Sequence, residues 1–294
     1  VDVDGVAEGF GDADVFVGKL NLGNAKSAHR GEIFALYYMD RSAQDDWTYL
    51  PSGLGYFRSR FTPNISSLAA FGVAADGKFA PSNDDPGLSY KAEADFLIGK
   101  DDVNNRDHAG GALDINDGNI MGYNAYIDLT QSFDAAKGMD AGVVFGMGSG
   151  DADKTKGAGN VNKLQTMGFF PFTNVWEDSV MPDVEGISPQ GLGSPVSRGY
   201  REFENTTAIR GLVGVQAFKP LRIVASYSYL MAFIPIYGFD GTGTPIGGTA
   251  SDIGMEVDGN VIIKFSNGVL YKGLFGYFIP GTAGAYLING NDDA

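Results

Sequence analysis

The sequence predicts an all-β chain whose strands form an antiparallel transmembrane β-barrel. Three observations carry that reading: long strands with strict alternation of apolar and polar residues, no continuous apolar run of about 18 residues, and connections that sort into short and long. The clearest stretch spans residues 254–281. Successive side chains of a strand point to opposite faces, so residues of one parity share a face. Met255, Val257, Val261, Ile263 and Phe265 fall on one parity, and Glu256, Asp258, Asn260, Ile262, Lys264 and Ser266 on the other. Asn267-Gly268 then predicts a hairpin with a type I′ turn. The return arm keeps the apolar parity with Val269, Tyr271, Phe275, Tyr277 and Ile279. Each arm is about ten residues, the length a tilted strand needs to cross the hydrocarbon core of a bilayer.

The same parity test identifies further strands. In 88–99, Tyr90, Phe96 and Ile98 oppose Lys91, Glu93 and Asp95; in 121–129, Met121, Tyr123, Ile127 and Leu129 oppose Asn124, Tyr126 and Asp128. Strands are also expected over 139–147, 207–217 and 221–233, with less sharply alternating ones near 15–22, 31–40, 53–61 and 67–79, about eleven in all. Tight connections at 134–138, 218–220 and 266–268 alternate with long ones at 100–119, 149–206 and 232–253. A barrel with tight turns at one end and long loops at the other gives this order. In the first half the alternation is weaker, because 62–66 is short where a long connection is due. No helix of consequence is expected. Closed single-chain barrels of bacteria have an even strand number, so about eleven reads as a partial chain of a larger barrel, and Val1 as a processed or truncated start. The alternative is a soluble secreted β-sandwich acting as a binding module, whose apolar parity would be core.

Composition narrows the function. A formal charge of −15 over 294 residues opposes nucleic acid, whose phosphates require Lys and Arg. It suits cation preference and divalent-ion bridging to lipopolysaccharide. Without Cys there is no disulfide, no thiolate chemistry and no haem attachment site in this chain. The two histidines, His29 and His108, fall in expected connections and belong to no nucleophilic triad pattern, so no enzyme is expected.

Five pieces occur in a suggestive order: LSYKAEADFLIGK, NAYIDL, GMGSGDAD, FFPFTNVWED and the closing IGMEVDGNVIIKFSNGVLYKGLFGYFIPG. Together, over about residues 86–285, they resemble the alginate-export-type family of outer-membrane porins. The resemblance implies one barrel of many strands in a Gram-negative outer membrane, and passive diffusion of ions or small polar solutes through it. The alginate specificity of those relatives does not transfer, because it rests on a basic pore lining and this chain is acidic.

In such a barrel the polar parity lines the lumen. The candidates are Arg58 and Arg60; Lys91, Glu93 and Asp95; Asp128; Arg210 and Arg222; Glu256, Asp258 and Lys264; and Lys272. Charges on a pore wall select solutes through their local field, whereas a blander reading pairs Lys91 with Glu93 and Asp258 with Lys264 across strands. Phe169, Phe170, Phe172 and Trp176 in the longest connection serve either as an inward constriction or as a small hydrophobic knot. Asp151 and Asp153 sit on a glycine-rich turn that can offer oxygens to Ca²⁺, although the later acidic ligand of a closed loop is missing and a solvated turn is the default. No other cofactor is expected. Membrane lipids and lipopolysaccharide are the expected surroundings, with a homo-oligomer or partner protein open. A structural or adhesive barrel, including a sheath around a partner cytochrome, is the alternative use of the same strands.

Overall fold

The computed structural model describes residues 13–24, 27–40, 48–49, 65–81, 85–101, 105–106, 112–113, 118–133, 138–150, 152, 162, 172–176, 205–239 and 245–289. Ten strands form one antiparallel sheet: β1 (Ala13–Leu22), β2 (His29–Asp40), β4 (Ile65–Phe79), β5 (Leu88–Asp101), β8 (Gly118–Phe133), β9 (Met139–Gly148), β10 (Thr206–Phe218), β11 (Leu221–Phe239), β12 (Pro245–Lys264) and β13 (Leu270–Pro280). Each pairs with the next in this order, as in a meander. Three two-residue strands, β3 (Thr48–Tyr49), β6 (Asn105–Arg106) and β7 (Ala112–Leu113), make a separate small sheet that joins two long connections.

The ten strands lie where alternation places them, and the expected strand at 53–61 falls outside the described residues. Because β2 pairs directly with β4, from His29↔Gly77 to Met39↔Ser67, residues 41–64 form one long connection between neighbours. That restores the alternation in the first half. The strand ends joined by 23–28, 80–87, 134–138, 219–220 and 265–269 lie at one edge of the sheet, and those joined by 41–64, 102–117, 149–205 and the short 240–244 at the other.

Three local expectations are corrected. Residues 232–239 and 245–253 belong to strands and not to a loop, for β11 and β12 extend to 19 and 20 residues. Pro235 has no N–H to give, and there the pairing slips from Met231↔Asp252 to Ile236↔Ala250 instead of ending. The last hairpin does not use a type I′ turn. Asn205 is the only non-glycine with positive φ among the described residues, so Asn267 keeps a negative one, and Gly268 alone takes φ 87°. With Gly268 N–H donating to Phe265 O (3.1 Å) and Phe265 N–H to Val269 O (2.9 Å), this is a three-residue loop whose left-handed glycine closes an ordinary turn.

The third correction is helix α1 (Thr282–Asn289). At two turns it is too short for a helical periodicity to stand out. Ala283, Ala285 and Tyr286 are buried, and Ala283 and Tyr286 belong to the cluster that holds Leu230, Ile236 and Ile253. A Cβ on Gly284 would lie 2.1 Å from the Ile253 carbonyl oxygen, so only glycine allows this approach.

Burial shows which parity faces where. Val257 is 50%, Phe275 67% and Tyr277 69% exposed, whereas Glu256 is 0% and Asp258 4% exposed. A soluble sandwich would bury the first set and expose the second. The inversion holds along the sheet: Phe71, Val73, Ile209, Val213 and Tyr227 are exposed, while Ser226 and Ser228 are buried. Apolar side chains turned outward and charged ones turned inward are the arrangement of a transmembrane β-barrel wall. The edge strands β1 and β13 are not paired with one another among the described residues, and no described helix is long and apolar enough to cross a membrane.

Candidate functional site: an inward strap on a charged wall

The register of β10 to β13 lays out the polar face row by row. One row runs Arg210, Ser228, Glu256, Phe278; the next runs Leu212, Ser226, Asp258, Gly276. Across these rows lies a strap, Phe172–Trp176, taken from the long connection between β9 and β10. The backbone N–H groups of Asn174 and Val175 both donate to Glu256 Oε1 (2.7 Å each), and that of Trp176 donates to Oε2 (2.9 Å). Three donors on one ionised carboxylate are charge-assisted bonds, roughly twice as strong as neutral ones. The Asn174 amide donates to Asn260 Oδ1 (2.9 Å) and to the Phe275 carbonyl (3.2 Å).

Two aromatic contacts complete the attachment. Arg210 Nη1 donates to the Phe172 carbonyl (2.6 Å), while the guanidinium carbon lies 5.1 Å from the centroid of the Phe172 ring, within cation–π range. Trp176 stacks on Phe278 at 4.9 Å. Phe172 is buried in a cluster with Leu68, Leu97, Ile120, Val144, Ala208 and Leu230, so the inner face is apolar toward the long-connection end. Toward the short-turn end it is charged. There Arg30, Asp76, Lys91, Asp128 and Thr130 line a depression of about 500 Å³.

Among the described residues three ion pairs join charges on different strands. Arg222 pairs with Asp140 (2.6 Å), Lys19 with Glu32 (2.6 Å) and Arg30 with Asp76. Lys91 stands in register between Asp76 and Asp128 rather than pairing with Glu93. Asp258 likewise meets Ser226 (3.4 Å) and not Lys264, which lies opposite Leu270 six residues farther along. Glu93 and Asp95 face Tyr126 and Asn124 across β5 and β8, and Asn124 Oδ1 accepts the Asp95 N–H (2.9 Å). Among the described residues no ion pair reaches Glu93, Asp95 or Asp258.

Of the remaining expected positions, Lys264 and Lys272 are exposed near the last hairpin. Arg58, Arg60, His108, Asp151, Asp153, Phe169 and Phe170 lie outside the described residues. His29 is not in a loop but opens β2, where its Nδ1 lies 3.1 Å from the Tyr90 hydroxyl and its ring 4.8 Å from Phe79. Sequence reasoning passed over Glu32, Asp76, Asp140, Ser226, Ser228 and Asn174. All but Asn174 share the polar parity that marked their neighbours, and that parity is the signal for them. Among the described residues no three His, Asp or Glu side chains gather as a metal centre.

No family model matches the chain, and no curated protein does. Among solved structures the chain is similar to the outer-membrane expressed OmpT of Vibrio cholerae, at 12% identity over 96% of this chain and 93% of that one, with a TM-score of 0.30. The fold therefore rests on the sheet itself. The resemblance to alginate-export-type porins finds no matching family model, and the coarser class stands: an outer-membrane-type β-barrel fold. The expectation that the chain is no enzyme is corrected too. The similarity to OmpT lends it no support, and the wall carries the neighbouring carboxylates Glu93/Asp95 and Glu256/Asp258, groups of the kind acid–base chemistry uses, so that exclusion is withdrawn.

Proposed function

We propose that this chain is the wall of an outer-membrane channel through which small cations diffuse, narrowed by the Phe172–Trp176 strap. The observation that carries the reading is the strap itself. A segment of the longest connection lies on the inward face and is fastened there by a buried carboxylate and a guanidinium, instead of projecting from the rim. Selectivity follows from what is left over after pairing. Among the described residues Glu32, Asp76 and Asp140 each pair with a basic side chain, whereas Glu93, Asp95 and Asp258 pair with none, and this excess of carboxylates supports a negative local field along the wall.

The test is conductance of the detergent-purified protein in a planar bilayer under a salt gradient. Discrete steps with a reversal potential of cation sign are expected. Glu93→Gln, Asp95→Asn and Asp258→Asn combined are expected to move that potential most of the way to zero. Anion preference, or no conductance from correctly folded protein, contradicts the proposal.

A further inference from the structure

One register row crosses β2, β4, β5 and β8 with alternating sign: Arg30, Asp76, Lys91, Asp128. Arg30 and Asp76 close on one another, with Arg30 Nε donating to Asp76 Oδ2 (3.1 Å) and Nη2 donating to the same oxygen. Lys91 and Asp128 do not. They are direct partners in the ladder, yet among the described residues no ion pair joins them and none reaches either from elsewhere. Asp128 is half-buried and accepts from neutral donors, the hydroxyls of Thr130 (3.0 Å) and Tyr126. Those bonds satisfy oxygens and leave the charge uncompensated. Lys91 is exposed. Direct ladder partners stand about 5 Å apart at Cα, within easy reach of Lys to Asp, so the pair is open although the backbone would let it close.

Both groups line the depression of about 500 Å³ toward the short-turn end, a volume in the range of small-molecule sites. A cavity that offers an ammonium and a carboxylate side by side, each without a counter-charge, is complementary to a solute that carries both. A simple anion drawn to Lys91 meets the carboxylates of Asp76 and Asp128 on either side of it. A simple cation drawn to Asp128 meets Lys91, with Arg30 and Lys78 in the same lining. A zwitterion avoids both penalties, because its carboxylate falls on Lys91 and its ammonium on Asp128. In the next row Ser89 and Thr130 are themselves direct partners and bring two hydroxyls to the same lining for further polar groups of the solute.

We infer that Lys91 and Asp128 form a binding site for a small zwitterionic solute, of the class of an amino acid or a short peptide, on the inward face of the wall. The inference goes beyond cation diffusion and is independent of it, because it rests on an open charge pair over a cavity and not on a conducting path. Both partners are in contact with water, so the affinity is modest, on the order of 1 mM, and falls as salt screens the two contacts.

The probe is γ-aminobutyrate, with butyrate and butylamine as its single-charge counterparts. Saturation-transfer NMR titrations of the full chain in detergent read binding without any conduction. Saturable binding of γ-aminobutyrate is expected, about tenfold tighter than that of either counterpart and weaker at high salt. Lys91→Gln and Asp128→Asn, which change charge with little change of shape, are each expected to bring γ-aminobutyrate down to the level of the single-charge compounds. Absence of saturable binding to the wild type would overturn the inference and show that Lys91 and Asp128 close on one another in solution. Butyrate bound as tightly as γ-aminobutyrate would overturn it too, leaving only an anion contact at Lys91, and so would equal binding by wild type and both variants. A protein that conducts cations without binding γ-aminobutyrate loses this site and keeps the proposed channel; one that binds it without conducting keeps the site and loses the channel.

Discussion

Glu256→Ala should release the strap and, on the proposed channel function, widen the conducting path. Three backbone N–H groups end on this one carboxylate, and each charge-assisted bond contributes about 1.5–3 kcal/mol. Such bonds are not additive, and removing the buried partner is expected to cost the docked strap about 3–5 kcal/mol, by analogy with a broken buried charge pair. Arg210, with its hold on Phe172, cannot compensate, because it grips one end of the segment only. Single-channel steps of Glu256→Ala should therefore be larger and noisier than those of the wild type, and the 149–205 connection should become more sensitive to protease. Glu256→Gln keeps one acceptor oxygen without the charge and should fall between the two. Unchanged steps and unchanged cleavage in Glu256→Ala would mean that the strap is held by its aromatic contacts and that Glu256 does not gate its position.

The second large effect lies on the opposite parity, one residue away. Val257 sits near the middle of its strand and is half exposed on the apolar side. If that side meets lipid, Val257→Arg is expected to cost about 2–4 kcal/mol of folding free energy near the bilayer midplane. On the surface of a soluble protein the same change would fall within about 0.5 kcal/mol. Urea titration of protein folded into lipid vesicles, read by gel mobility of the folded barrel, separates the two. Val213→Arg on β10 should behave in the same way, because it occupies the same face of the sheet. A variant that folds as well as the wild type at both positions would remove the lipid-facing assignment.

The wall was legible in the sequence because a strand's two faces are written at a period of two. Lys91, Glu93 and Asp95 on one side and Tyr90, Phe96 and Ile98 on the other give β5 its orientation before any pairing is known. What escaped depends on contacts that no periodicity records. The strap is recognisable as an aromatic segment, yet the backbone N–H groups that bind Glu256 carry no residue-type signal at all. The placing of charges also escaped, because it follows the register between strands: Lys91 stands opposite Asp76 and Asp128, and Asp76 pairs with Arg30 of β2. The turn at Ser266–Gly268 was read from a dipeptide that serves two turn types equally well, and only the backbone angle of Asn267 distinguishes them. Helix α1, TAGAYLIN, mixes small and apolar residues next to an apolar strand, so its composition did not set it apart, and its close packing against Ile253 is a contact no periodicity records.

The most direct test of a lipid-facing wall uses the absence of Cys, which gives a clean background for single-cysteine labelling. Spin labels placed one at a time along 255–263 in vesicle-embedded protein would be challenged with oxygen, which concentrates in lipid, and with a water-soluble nickel complex. A barrel wall gives a period of two, with oxygen access high at 255, 257, 261 and 263 and low at 256, 258 and 260. Equal access at both parities, or labels at 255, 257, 261 and 263 that respond to the nickel complex alone, would contradict it.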